Sequence, residues 1–190
     1  MRETTMRRVS PLATASGHAR AAVADDDLIL RTCRAARENP RGREVLRLHA
    51  SDDEPLQRMV NALRPGSYVQ PHRHVTPEKA EGFVILCGAL GVVLFDEAGN
   101  ARESDFILLD RERGVHLADI RPGVWHTIFA LAPDTAVYEA KAGPYLPDSD
   151  KGFAPFAPAE GSPGAAAYLM ALEDRFRSVW GLAPRAWGRP

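Results

Sequence analysis

Between Leu56 and Ala142 the chain alternates short apolar runs with turn residues. Runs of four to eight residues rich in Val, Ile, Leu and aromatics predict strands. They fall near 56–63, 67–74, 81–87, 90–95, 103–109, 115–120, 125–131 and 136–142. Glu97-Ala98-Gly99-Asn100 has the composition of a hairpin turn. About eight short strands within roughly 90 residues predict a sandwich or barrel. The flanks read differently. Residues 1–24 lack sustained periodicity and read as a loose tail. Asp25-Asp26-Asp27 offers an N-cap and favourable first-turn charge for a helix over Leu28–Glu38, which Asn39-Pro40 ends. Five prolines between 143 and 163 exclude a helix or central strand, and Phe153 and Phe156 predict that this stretch packs on the barrel. A last helix is expected over Gly164–Trp180. The expected organisation is thus a tail (1–24), a helix with connector (25–50), a barrel (51–145) and a Pro-rich arm with a helix (146–190).

Composition narrows the function classes. With 24 Lys and Arg against 25 Asp and Glu, the net charge is −1, which argues against a nucleic-acid binder. The two cysteines, Cys33 and Cys87, are too few for a disulfide framework and suit a reducing cytoplasm. No apolar stretch is long enough for a membrane span, and the first residues lack the apolar centre of a signal peptide.

The sharpest chemical feature is His72-Arg73-His74. On a strand, residues two apart face the same side, so two imidazoles can converge on one metal. Roughly 0.2 such pairs are expected by chance from the histidine content, so the pair alone is weak. Its surroundings strengthen it. Gly66 precedes His72 with five residues between, Glu81 is followed by six residues and Gly88, and Pro122-Gly123-Val124-Trp125-His126 comes later. This combination resembles the two-part signature of the cupin superfamily. Two departures stand out. Six residues rather than three or four separate His74 from Glu81, which leaves Glu78 as a rival ligand. Pro122 and Gly123 are adjacent, and Ala130 stands where the signature has Asn. Glu81 is preferred because it keeps the six-residue spacing to Gly88.

More of the chain is similar to one family, the WbuC-type cupin metalloproteins. The stretches that carry the resemblance include Leu48-His49, Asp53-Glu54-Pro55, Asn61-Ala62-Leu63, Pro65-Gly66-Ser67-Tyr68, Gly143-Pro144-Tyr145 and Lys151-Gly152-Phe153-Ala154-Pro155. The resemblance spans about Asp27 to Glu160. It implies a mainly β chain with a single cupin domain, a double-stranded β-helix or jelly-roll barrel. An N-terminal helix and a Pro-rich, partly helical extension flank that barrel. It also implies one divalent transition metal (Fe, Zn, Mn or Ni) held by His72, His74, Glu81 and His126. The family name hints at surface-polysaccharide metabolism.

Strand alternation then proposes a pocket. Tyr68 and Gln70 share the face of His72 and His74, and Phe83, Ile85 and Cys87 share that of Glu81. Gln57 and Asn61 either line the pocket or are exposed, and Arg58 points the other way into a surface ion pair. His49 reads as a loop hydrogen-bonder or a rim residue, His116 as a core or ligand-supporting histidine. One of Tyr138 and Glu139 faces inward. The expected function is a cytoplasmic, homodimeric metalloenzyme acting on a small molecule such as a sugar or nucleotide sugar. The alternative is a non-catalytic, metal-dependent ligand-binding module. No residue is marked as general acid or base.

Overall fold

The fold is that of a computed structural model describing residues 4–11, 13–18, 20–147 and 149–188. In chain order its elements are β1 (Thr5–Ser10), β2 (Ala13–Gly17), α1 (Asp26–Glu38), β3 (Arg43–Arg47) and β4 (Leu56–Leu63). Then come β5 (His72–His74), β6 (Glu81–Cys87), β7 (Ala89–Phe95), β8 (Phe106–Asp110), β9 (Leu117–Ile120), β10 (Trp125–Ala130) and β11 (Thr135–Ala142). β12 (Lys151–Phe153) and α2 (Ala165–Trp180) close the described chain. A 3-10 turn over Glu103–Asp105 replaces the first part of the strand expected at 103–109, which begins only at Phe106.

Eight strands, β4 to β11, pair in a nested order. β4 pairs with β11, β5 with β10, β6 with β9 and β7 with β8, all antiparallel. The chain is in effect one long hairpin with its tip at Asp96–Asn100, where both the backbone amide and the side-chain amide of Asn100 donate to the Asp96 carboxylate. Pairing of β11 with β6 and of β10 with β7 wraps this hairpin into two facing sheets. Their orders are β1-β2-β3-β4-β11-β6-β9 and β12-β5-β10-β7-β8. This wrapped, eight-stranded, double-sheet arrangement is a jelly roll, the fold that the cupin resemblance implies.

Inward positions of the two sheets interlock around Leu63, Phe83, Ile85, Leu90, Val92, Leu109, Ile128 and Val137. The outer face of the larger sheet is covered by α1. Its buried residues Leu28, Ile29, Thr32, Cys33 and Ala36 form one stripe, packed on Leu46, Val60, Ala62 and Ala136. Asp25 caps α1 as expected, its carboxylate accepting from the Leu28 amide. α2 covers the smaller sheet, where Leu169 and Phe176 meet Phe106, Leu108 and Phe129.

Three sequence expectations need correcting. Thr5–Ser10 and Ala13–Gly17, read as part of a loose tail, pair antiparallel, and β2 runs parallel to β3. The hairpin has only Met6 and Val9 as large apolar residues, on opposite faces, so it shows no alternation, yet Arg8 donates at 2.7 Å to the fully buried Glu44 carboxylate. β3 itself was read as connector, because one of its two buried positions is that glutamate. Only His72–His74 of the expected strand 67–74 is extended in a ladder. The Pro-rich arm packs through Phe156, whereas Phe153 is 56% exposed, and the arm contributes β12, an edge strand beside β5.

Candidate metal centre

His72 and His74 alternate on β5 with Arg73, which points outward to Glu97 and stacks 4.2 Å over the Trp125 ring. His126 lies directly opposite His72 in the β5–β10 ladder. Glu81 opens β6. Two glycines set these positions. Gly88 takes φ +69° between β6 and β7, where a Cβ would sit 2.5 Å from Thr135 Oγ1. Gly123, at φ +77°, makes the turn into β10.

The four side chains converge. One ligand atom from each of His72, His74, Glu81 and His126 lies within 4.8 Å of all the others, and all four residues are buried. Each imidazole is pinned through Nδ1 on a backbone carbonyl: His72 on Gln70 at 3.0 Å, His74 on Asp150 at 3.0 Å, His126 on Val124 at 2.9 Å. Nδ1 then carries the hydrogen, and the Nε2 lone pairs face one another. His72 Nε2 and His74 Nε2 are buried without a partner, and His126 Nε2 lies 2.9 Å from Glu81 Oε2. Bare, inward-facing nitrogens fixed by outer hydrogen bonds, beside a buried carboxylate, are what a metal ligand set requires. Burial alone would raise Glu81, but the facing His126 and His74 imidazoles and the charge of Lys141 hold it well below the usual carboxylate range. The donor set of three nitrogens and one oxygen suits a divalent transition metal. Glu78, the rival ligand, is exposed and lies beside Gly123, away from the cluster.

A cavity of about 440 Å³ opens beside the cluster, and His72, Glu81 and His126 form part of its wall. Gln57, Asn61, Gln70 and Phe83 line it. Gln57 has its amide already committed to the carbonyls of Asp52 (3.1 Å) and Glu54 (2.9 Å). Tyr68 is a correction. The chain before His72 is not a regular strand, and the Tyr68 ring turns to the outer cluster, donating to the Pro158 carbonyl at 2.7 Å. Cys87 is another. The β6–β11 register shifts between Ala136 and Val137, so Leu86 is an extra residue. That bulge carries Cys87 to the α1 side, where Sγ donates to the Asp134 carbonyl. Ile85 stays inside the barrel but does not line the cavity. His116 is exposed, in the segment just before β9, and not a core residue. His49 lies on the cavity wall, with Nδ1 2.8 Å from the Arg58 carbonyl and 3.0 Å from the Arg58 amide. Arg58 pairs with Glu54 at 2.6 Å.

Several wall residues escaped the sequence reading. Glu139, not Tyr138, faces inward and accepts from Asn61 Nδ2 at 2.8 Å. Burial and the neighbouring Glu81 charge push it up to about 7. Lys141 lies opposite Glu81 in the β6–β11 ladder. Asp150 holds Lys79 at 2.5 Å and Lys141 at 3.0 Å, and its Oδ2 is 3.2 Å from His74 Nδ1. Lys141, two residues from Glu139, was available to the same alternation. Nothing in the sequence marked Asp150, which lies among the prolines.

A family model described as a domain of unknown function (DUF6016) matches residues 24–107, which include His72, His74 and Glu81 but not His126. No curated protein matches. Among solved structures, the chain is similar to the Schizosaccharomyces pombe Cnp3 cupin domain (13% identity, TM-score 0.40), covering 53% of this chain and 64% of that one. It is similar to Lactobacillus farciminis oxalate decarboxylase in a formate complex (16%, 0.40), covering 53% and 27%. It is also similar to KdgF from Halomonas sp. (20%, 0.42), covering 56% and 83%. The chain thus spans less than two thirds of the first two. With scores this low, the fold reading rests on the nested strand pairing itself.

Among the described residues no helix is long and apolar enough to cross a membrane.

Proposed function

We propose that this chain holds one divalent transition metal (Fe, Zn, Mn or Ni) through His72, His74, Glu81 and His126, and acts on a small molecule seated in the adjoining cavity. The observation that supports this most is the convergence of three Nδ1-pinned imidazoles and a buried carboxylate beside that cavity. When bound, the metal would supply a Lewis acid that polarises a ligand oxygen. The chain's own groups do the rest. The backbone carbonyls of Gln70, Val124 and Asp150 keep the imidazoles in one tautomer. The jelly-roll interior excludes bulk water below the cluster. Asn61 orients the Glu139 carboxyl, which faces the same cavity.

In its finer form the reading makes the ligand sugar-like. Amide groups at Asn61 and Gln70 suit hydroxyl groups, and the WbuC-type motifs support a place in surface-polysaccharide metabolism. A homodimer belongs to the same reading. β9 is an unpaired sheet edge with Leu117 59% exposed, and a monomer mass in light scattering would rule the dimer out. The central test is metal analysis of protein purified without added metal. About one equivalent is expected in the native chain and none after His72→Ala. An equal metal content in the two would overturn the assignment.

A further inference from the structure

The arm that follows the jelly roll places a cation in the cavity. In the β12–β5 ladder Lys151 is the direct partner of His74, and Phe153 of His72. Cross-strand partners project from the same face of a sheet, so Lys151 points where the histidines point. Its side chain lines the cavity together with His72, Glu81 and His126. Among the described residues no carboxylate pairs with it. The neighbouring acids are all engaged. Asp150 is shared by Lys79 and Lys141, Glu160 is gripped by Arg41 and Arg43, and Glu139 accepts from Asn61.

Charge counting points the same way. Nearest the cluster the carboxyl groups of Glu81, Glu139 and Asp150 do not outnumber the amino groups of Lys79, Lys141 and Lys151, and farther out Arg41, Arg43 and Arg47 are paired with Glu160 and Asp52. A divalent metal would leave about two positive charges uncompensated in a largely buried site, a costly state unless an anion enters. Two neutral groups complete the wall. Asn61 Oδ1 is a buried acceptor without a partner. His49 Nδ1 is held by the Arg58 backbone, 2.8 Å from its carbonyl and 3.0 Å from its amide, and the ring's Nε2 is buried without a partner.

We propose that the cavity binds a small hydroxylated carboxylate, its carboxylate on Lys151 and its hydroxyl groups meeting Asn61 and His49 beside the metal. A lysine ammonium is a single point charge, which suits one carboxylate, and no free arginine fork of the kind that grips phosphate lines the cavity among the described residues.

This rests on the metal reading above, so the test separates the two. The chain is loaded with Co(II), and glycolate and its uncharged counterpart glycolamide are titrated against the visible absorption of the metal. Glycolate is expected to bind about tenfold more tightly than glycolamide or better. Lys151→Met should abolish that preference at unchanged Co(II) content and circular dichroism, and Lys151→Arg should keep most of it. Equal affinity for the two probes in the native chain, or an undiminished preference in Lys151→Met, overturns the carboxylate assignment alone. Inorganic phosphate binding more tightly than glycolate overturns it in favour of a phosphorylated ligand. A chain that takes up no Co(II) overturns the metal reading, and this assignment with it.

Discussion

The two ends of the jelly roll are built from the same strands and filled in opposite ways. Along β6 the inward positions run Glu81, Phe83, Ile85, and along β10 they run His126, Ile128, Ala130. β11 gives Lys141, Glu139, Val137, and β4 gives Gln57, Met59, Asn61, Leu63. At one end each of these four strands presents a charged or polar group, and at the other each presents an apolar one. Both ends are buried. The apolar end is held by area removed from water, the polar end by partners found for each group. Burial therefore says little about role in this fold, and the position along the strand says much.

Substitutions at the two ends should separate metal binding from stability. The largest effect is expected at the polar end. His126→Ala removes one of four converging groups and should lower metal affinity by more than about 100-fold, with circular dichroism retained, as read by competition with a chelator. At the apolar end Leu90, which is fully buried, should cost about 2–5 kcal/mol in denaturant unfolding when changed to Ala, with metal stoichiometry unchanged. Loss of metal in Leu90→Ala under native conditions would show that the two ends are not separable. Asp150→Asn tests the shell behind His74. It should weaken metal binding about tenfold, the low end of such effects because the Asp150 backbone carbonyl still holds Nδ1. Tyr68→Phe should do least. It removes the bond to Pro158, costs about 0.5–1.5 kcal/mol of stability and leaves metal content and glycolate binding as they were.

The convergence of His72, His74, Glu81 and His126 was legible because it depends on spacing. His72 and His74 are two apart on a strand, and Glu81 and His126 hold fixed distances from turn glycines whose positive φ allows no other residue easily. The eight strands were legible because one face of each is buried. What failed was continuity of phase. The bulge at Leu86 reverses the side on which Cys87 lies, and the irregular chain before His72 releases Tyr68 from the inward face. The hairpin of β1 and β2 gave no signal, since its two large apolar residues, Met6 and Val9, fall on opposite faces. Lys151 could not be foreseen at all. Its direction depends on pairing with a strand 77 residues earlier, and such a ladder leaves no periodic trace in a proline-rich stretch.

The edge strand β12 also sets an order of assembly. All four metal-facing side chains lie before residue 127, and the nested strand pairs are complete at Ala142. Asp150, which fixes His74, and Lys151, which closes the cavity wall, come later in the chain. On a ribosome, where N-terminal segments emerge first, the barrel can close around its metal-binding face before the ligand-binding wall has been synthesised. Selection of the metal would then precede selection of the ligand, each made by a different length of the nascent chain.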